Sequence, residues 1–273
     1  MSVMSFDLSG RVAVVAGGYG VLGGSIAAGL AGAGVHVVIL GRSIELAQRK
    51  VIEIGIVNRD LKHIGVAADV LDVSSLTRAR NHIIGAFGGI DILINAAGGN
   101  IAKARTNATS PFSMDLGGFD EVVRLNLHGS VTPALIFGEA MADRGRGSII
   151  NISSMAALRP LSGIAGYSAA KAAVENFTRW LAVELARFGA GGVRVNAVAP
   201  GFFLASQNRS LLVNTDGSPT VRAATILSRT PMGRFGEARE LDGIVQFLAS
   251  DSASFVTGVV IPVDGGFSAD AGI

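Results

Sequence analysis

Three residues near the middle of the chain have the types and spacing of an acid–base site. Tyr167 and Lys171 are four positions apart, so on a helix their phenol and ammonium lie on one face. A free tyrosine has a pKa of about 10, and a neighbouring ammonium favours the phenolate and lowers that pKa toward neutral pH. Ser154 lies thirteen residues before Tyr167, directly after an apolar run at 148–152 that predicts a buried strand. The three side chains could therefore converge on one carbonyl oxygen.

The Tyr-x-x-x-Lys pattern alone is weak, because it also occurs on ordinary helix surfaces. The composition of the chain limits the classes of protein and of site that are possible. The 273 residues are 49% hydrophobic and 16% charged, with a formal net charge of +2, which predicts a large core and no nucleic-acid partner. The absence of cysteine excludes disulfides and thiolate metal sites, and we expect no metal. The first residues lack the basic and apolar regions of a signal peptide, which predicts a cytoplasmic protein.

Residues 12–40 contain no Asp, Glu, Lys or Arg, and the stretch is long enough to span a membrane. Its eight glycines, however, divide it into two β-branched pieces around an Ala-rich centre. A buried strand, a glycine turn, a helix and a second buried strand explain this pattern better than a membrane span. We therefore expect no membrane association.

The glycine turn has the pattern Gly18-x-Gly20-x-x-Gly23 between the first strand and the first helix. In that context the motif predicts a dinucleotide site, because small residues let the backbone approach a pyrophosphate at the helix N-terminus. The alternative is a tight turn that only allows close helix packing. The turn residues assigned to the cofactor are Gly17, Gly18, Tyr19, Gly20, Val21 and Leu22.

The end of the second strand indicates which dinucleotide is bound. An NAD site usually has an acidic side chain here to hold the ribose hydroxyls, and this chain has Gly41 followed by Arg42 and Ser43. Arg42 could pair with a 2′-phosphate, so NADP is favoured over NAD. The alternative for Arg42 is a solvated residue at the start of a helix.

The rest of the chain alternates predicted strands (63–68, 90–94, 194–199, 258–263) with predicted helices (74–87, 119–142, 237–249). We therefore expect residues 1–273 to form one α/β domain, a doubly wound (Rossmann) parallel sheet with helices on both faces. Such sheets bind ligands at the carboxyl ends of their strands. For Asn95 a structural bond between strands is at least as plausible as cofactor contact. The residues expected at those ends are Asp69, Val70, Asn95, Ala96, Ala97, Gly98, Pro200, Gly201 and Phe203.

With these motifs in view, the chain from about Leu8 onward resembles the short-chain dehydrogenase/reductase family. The family often has Thr at the position of Ala16 and Gly at that of Val21, which puts details of the pyrophosphate contact in doubt. The resemblance implies a carbonyl or alcohol substrate and a nicotinamide cofactor, with Tyr167 as general acid/base and Lys171 lowering its pKa and holding the ribose. It also implies that Ser154 binds the substrate oxygen and that Asn126 anchors a proton-relay water.

A narrower resemblance, to a branch that interconverts D-fructuronate and D-mannonate, is carried by Gly98-Gly99-Asn100, Arg159-Pro160-Leu161 and the run at 230–235. It implies a small-molecule substrate with a carboxylate and several hydroxyls, for which arginine is a natural partner. Each polar loop residue could equally be a solvated charge. The candidate substrate residues are Asn100, Lys103, Arg159, Gln207, Asn208 and Arg209.

Residues 202–229 follow Pro200-Gly201 and are long enough to form a lid over the substrate. The weakly charged segment 175–188 and the apolar last strand predict subunit contacts, and the family resemblance implies a homotetramer. Two alternatives stay open. The substrate could be another sugar, a polyol, a steroid or an acyl-carrier thioester, or the protein could be a non-catalytic nucleotide sensor or scaffold.

Overall fold

Buried aliphatic segments form a sheet of seven parallel strands, in which the first and fourth strands lie side by side near the centre. The computed structural model describes residues 6–56, 60–106, 110–204 and 209–271. The strands are β1 (Val12–Ala16), β2 (His36–Gly41), β3 (Ile64–Ala67), β4 (Ile92–Asn95), β5 (Gly147–Ile152), β6 (Val193–Pro200) and β7 (Val260–Val263). Their order is β3-β2-β1-β4-β5-β6-β7, so the chain changes direction across the sheet between β1 and β4. That switch point is where doubly wound sheets bind ligands.

Helices cover both faces of the sheet. The helices are α1 (Val21–Gly32), α2 (Ile44–Gly55), α3 (Val73–Phe87), α4 (Leu116–Val123), α5 (Gly129–Asp143), α6 (Ala165–Arg187), α7 (Arg209–Leu212), α8 (Val221–Ser228) and α9 (Asp242–Ala249). One core cluster joins the sheet to α1, α2 and α9, and includes Leu30 and Leu248. The other joins it to α3, α5 and α6, and includes Ile83 and Phe137. The predicted single-domain α/β architecture is confirmed.

The long helix predicted over 119–142 is interrupted, which corrects the sequence prediction. Between α4 and α5 the backbone forms a π-helical turn at Arg124–His128. The side chain of Asn126 lies in this turn and donates a hydrogen bond to the carbonyl of Val122 (2.9 Å). A π turn widens the helix by one residue and is frequent at functional sites. Hydrophobic periodicity does not reveal it, because the apolar face continues through both helices.

Other predicted boundaries shift by a few residues. The predicted helix at 237–249 begins as a 3₁₀ turn (Ala238–Leu241), closed by a capping box between Glu237 and Glu240. The last strand begins at Val260, because Gly258 has a positive φ of 75° that is incompatible with a strand. The third strand is shorter than predicted and is confined to Ile64–Ala67.

Part of the segment at 202–229 packs near the carboxyl end of β6. Leu212 of α7 and Ile226 of α8 form a small cluster with Phe202 and Phe235. An isolated bridge between Val213 and Pro219 closes the turn that joins the two helices. Whether this segment acts as a lid stays a prediction. Among the described residues, no helix is long and apolar enough to cross a membrane.

A buried chain of polar side chains braces the centre of the sheet. The Asn95 amide donates to the Asn151 side-chain oxygen (2.8 Å) and to the Ser130 carbonyl (3.2 Å). Asn151 in turn donates to the Thr178 hydroxyl (2.9 Å), which donates to the carbonyl of Val174 (2.8 Å). These bonds tie β4 and β5 to α5 and α6. These contacts support a structural role for Asn95 in bracing the strands.

Thr178→Val should lower the free energy of unfolding by about 1–3 kcal/mol, because it leaves the buried Asn151 amide without its acceptor. Thr77→Val is the matched control, since the Thr77 hydroxyl also bonds the carbonyl four residues earlier but is only half-buried on α3. Urea denaturation measures both. Equal stability of the two variants would contradict a bracing role for this network.

Candidate active site

The glycine turn after β1 holds the N-terminus of α1 against the loop that follows β4. Gly17 has a φ of 76°, and a Cβ there would lie 2.7 Å from the backbone nitrogen of Ala97. Gly20 precedes α1 and provides no side-chain cap, and the first turn of α1 contains no acidic residue. The helix N-terminus therefore presents amide groups and a positive dipole end in a cradle without side chains. This arrangement fits the pyrophosphate of a dinucleotide.

The end of β2 lacks an acidic side chain for a packing reason. The ring of Tyr19 lies against Gly41, and any side chain at position 41 would collide with that ring. The Tyr19 hydroxyl also accepts a long hydrogen bond from the amide of Ser43 (3.4 Å). Beside this ring, Arg42 is exposed and makes no hydrogen bond or ion pair with any described residue.

One cavity of about 350 Å³ extends from the start of α1 to the predicted acid–base residues. At one end it is lined by residues of the glycine turn, and at the other by Ser154, Tyr167 and Lys171. The structure thus brings the two motifs predicted from sequence together in one continuous space. Further residues assigned to the cofactor that line this cavity are Gly20, Val21, Leu22, Ala96, Gly98, Pro200, Gly201 and Phe203.

The remaining cofactor candidates do not line this cavity and are found beside it. Val70 and Ala97 pack in the sheet core on the side of α3 and α5. Asp69 is half-buried and accepts a hydrogen bond from the amide of Leu71 (2.9 Å). A role for Asp69 in binding the cofactor stays a prediction.

Lys171 is almost fully buried, with 4% of its surface exposed. Its ammonium donates to the carbonyl of Ile152 (2.8 Å), the last residue of β5, and lies 5.6 Å from the centre of the Tyr167 ring. Burial lowers the pKa of Lys171 to about 8. The end of β5 and the face of α6 together hold a cation next to the phenol, as the four-residue spacing predicted.

The pKa of Tyr167 moves in the direction opposite to the sequence prediction. Burial raises it above its usual value, and a hydrogen bond with Ser154 only partly opposes that rise. The reason is that desolvation disfavours the phenolate, which is the charged form. Tyr167 therefore carries its proton at neutral pH. A protonated phenol beside a hydroxyl can donate to a carbonyl oxygen.

Ser154 and Asn126 are placed by backbone contacts. Ser154 follows β5, and its hydroxyl accepts from the amide of Ala156 (3.2 Å), which fixes the side chain toward Tyr167. Asn126 is fully buried; its side chain accepts from the amide of Gly99 (2.9 Å) and donates to the Gly99 carbonyl (2.8 Å). Its contacts therefore anchor the loop after β4, and the proton-relay role stays a prediction.

The predicted substrate residues separate into two groups. Asn100 lines the cavity with Tyr167, and both atoms of its buried side-chain amide lack a hydrogen-bond partner among the described residues. Lys103 instead pairs with Asp115 (3.8 Å), and the guanidinium of Arg159 donates to the carbonyl of Ser268 (3.1 Å).

Neither Lys103 nor Arg159 is among the described residues that line the cavity, which corrects their placement. Arg209 is the first residue of α7, is exposed and does not line the cavity. Gln207 and Asn208 lie outside the described residues.

Sequence reasoning missed two basic residues. Arg105 lines the cavity beside Asn100, and Arg222 lines a neighbouring cavity that also contacts Ser154 and Tyr167. Nothing in the local sequence distinguishes Arg105 from Lys103. The one available signal for Arg222 was its place in the polar segment after Pro200-Gly201, which contains several arginines.

Comparisons with known proteins agree with this geometry. A family model described as enoyl-(acyl carrier protein) reductase matches residues 20–268. An uncharacterized oxidoreductase of Bacillus subtilis is 45% identical over 277 residues, covering 98% of each chain. The family match spans the positions of Ser154, Tyr167 and Lys171 and the part of the glycine turn from Gly20 onward.

Two solved structures share the whole fold. A proposed D-mannonate oxidoreductase from Haemophilus influenzae, with bound NAD, is 42% identical with a TM-score of 0.89, covering 98% of each chain. A gluconate 5-dehydrogenase from Burkholderia cenocepacia, in complex with NADP and tartrate, is 31% identical with a TM-score of 0.86, again covering 98% of each chain.

The raised pKa of Tyr167 predicts opposite pH profiles for the two directions of a carbonyl–alcohol reaction. Reduction requires the protonated phenol, so its kcat should be flat through neutral pH. Oxidation requires the phenolate, so its kcat should rise with pH toward the alkaline range. Lys171 itself loses its proton near pH 8, so Lys171→Met should slow oxidation most below that pH, where the wild-type ammonium favours the phenolate. Steady-state rates across pH test this, and an unchanged rise in the variant would assign the titration to another group.

Proposed function

This chain belongs to the short-chain dehydrogenase/reductase family and is a nicotinamide-dependent oxidoreductase, and we propose that it interconverts a carbonyl and a secondary alcohol of a sugar acid. D-Fructuronate and D-mannonate are the pair we propose first. The observation that carries this proposal is the cavity in which Ser154, Tyr167 and Lys171 meet the unpartnered amide of Asn100. The printed names of similar proteins add support, because one is a proposed D-mannonate oxidoreductase and another is a gluconate 5-dehydrogenase.

In this proposal the chain binds, orients and protonates the substrate. When bound along the α1 N-terminus, the nicotinamide cofactor supplies or accepts the hydride. Ser154 binds the substrate oxygen, and Tyr167 donates its proton to that oxygen during reduction and removes it during oxidation. Lys171 stabilises the phenolate that forms, because its ammonium is held 5.6 Å from the Tyr167 ring. Asn126 contributes by fixing the loop through Gly99.

A sugar acid fits the unpaired polar groups of the cavity. A buried amide without partners costs about 1–3 kcal/mol, and a substrate hydroxyl would satisfy both atoms of Asn100. Arg105 lines the same cavity and is exposed, and its guanidinium makes no hydrogen bond or ion pair with a described residue. These groups favour a substrate rich in hydroxyls over a hydrocarbon.

A less polar alcohol is the second candidate. The neighbouring cavity is lined by Met155, Leu161, Ile164 and Leu212, which favour apolar parts of a substrate. A cyclic or branched alcohol would fill that space but would form no hydrogen bonds with the side-chain amide of Asn100. The two candidates therefore differ in whether Asn100 matters for turnover.

We also propose that the protein is a homo-oligomer, in the form of a tetramer. Apolar side chains on α5 and α6 stay exposed, including Leu135 (48%) and Trp180 (52%). Exposed apolar side chains on adjacent helices are typical of a surface that another subunit covers. Sedimentation of the purified protein measures this state.

A panel of sugar acids tests the proposed function. We expect the purified enzyme to reduce D-fructuronate, or a related keto acid such as 5-keto-D-gluconate, as followed by the absorbance of reduced cofactor. Asn100→Ala should raise KM for the sugar acid about tenfold, because it removes a hydrogen-bond donor and acceptor. Turnover of cyclohexanol but of no sugar acid would contradict the proposal in favour of the second candidate.

We propose NADP as the preferred cofactor, because the guanidinium of Arg42 is unpaired and position 41 is a glycine that offers no acid to the ribose. Arg42→Ala should raise KM for NADPH about tenfold and leave KM for NADH unchanged. Arg49→Ala on the exposed face of α2 is the control. The Haemophilus relative was solved with bound NAD. A lower KM for NADH than for NADPH in the wild type would contradict this preference.

A further inference from the structure

A second cavity of about 190 Å³ adjoins the catalytic cavity. The two cavities share Ser154, Tyr167, Gly201 and Phe202. No residue of the glycine turn lines the second cavity in the described part of the chain. It is therefore the part of the active site that extends away from the dinucleotide groove, and it is open to a substrate held at Tyr167.

The walls of this second cavity are almost entirely apolar. Leu161, Ile164 and Leu212 form one side of it. Among the described residues that line it, Arg222 alone carries a charge. Its guanidinium makes no hydrogen bond or ion pair with a described residue, whereas the guanidinium of Arg159 is occupied by backbone carbonyls.

Local helix stability does not explain why an arginine occupies this position. Arg222 is the second residue of α8, after the cap formed by Thr220. A cation in the first turn of a helix is unfavourable, because the dipole is positive at that end. The position four residues later is Ile226, so no acidic partner follows on the same helix face. The arginine thus adds positive charge at a place where the helix already presents it.

We propose that Arg222 binds the carboxylate of the substrate while the reacting carbon lies at Ser154 and Tyr167. This inference rests on the proposed function and specifies its substrate class. Arg222 is exposed, and a guanidinium binds a carboxylate through two parallel hydrogen bonds. Arg222 lines the second cavity and not the one that contains Lys171. In D-fructuronate the carboxylate lies several carbons from the reacting carbonyl, so it can reach a residue that does not line the cavity of Lys171.

Two matched pairs of ketones test the assignment. D-Fructuronate and D-fructose differ only in a carboxylate in place of a hydroxymethyl group, as do 5-keto-D-gluconate and L-sorbose. Arg222→Met should raise KM for the acids about 10- to 100-fold, with kcat and KM for the cofactor unchanged. The neutral ketones should be unaffected. Arg222→Lys keeps the charge without the paired hydrogen bonds and should give an intermediate KM.

Arg229→Met is the control, because Arg229 is exposed at the other end of α8 and does not line the cavity. If the wild type prefers acids and Arg222→Met keeps that preference, the role of Arg222 is wrong while the proposed function stands. Loss of the preference in Arg105→Met but not in Arg222→Met would assign the carboxylate to Arg105 and overturn the inference. A wild type that turns over neutral ketones as well as acids, or neither, would contradict the sugar-acid function and the role of Arg222 together.

Discussion

The buried ammonium of Lys171 is the constraint on which the rest of the site depends. A charge this deeply desolvated is expensive unless it is hydrogen-bonded, and the carbonyl of Ile152 at the end of β5 provides that bond. The same carbonyl lies two residues before Ser154, so the strand that holds the cation also places the hydroxyl. The loop after β4 must approach closely from the other side: a Cβ on Gly98 would lie 2.5 Å from Asn126 Oδ1 and 3.5 Å from Lys171 Nζ. A single packing arrangement thus fixes the positions of Lys171, Ser154 and Gly98.

That arrangement also explains how the cofactor groove and the acid–base residues share one cavity. β1 and β4 are neighbours at the switch point of the sheet, so the turn after β1 and the loop after β4 leave the same edge together. Gly17 allows the two loops to touch, and the buried bonds among Asn95, Asn151 and Thr178 hold β4 and β5 in register with α6. The substrate contacts that we propose lie outside this rigid part, on the loop that carries Asn100 and on the helices after β6.

Much of this could be predicted from the sequence, and the exceptions have physical causes. Uncharged β-branched runs predict the strands, and polar or small residues after those runs predict the edge where the site lies. The π turn at Asn126 was missed because it depends on bonds to Gly99, 27 residues earlier in the chain. Arg159 was misplaced because its partner carbonyl at Ser268 lies 109 residues away. The pKa of Tyr167 was predicted in the wrong direction, since spacing reveals the neighbouring charge but not the burial that raises the pKa. The sequence does not show which basic residues of the polar segments line a cavity, because tertiary packing decides that. These residues are Lys103, Arg105, Arg159 and Arg222.

The central claim is that Tyr167 transfers the proton in a cavity that binds the dinucleotide independently of it. The most direct measurement compares wild type and Tyr167→Phe for NADPH binding, by fluorescence titration, and for turnover of the best sugar-acid substrate. The change removes one hydroxyl and leaves the ring, so the groove along α1 is untouched. We predict that the variant binds NADPH with unchanged affinity and has lost turnover by about 100-fold or more. Turnover near that of the wild type would contradict the account, because another group would then have to move the proton.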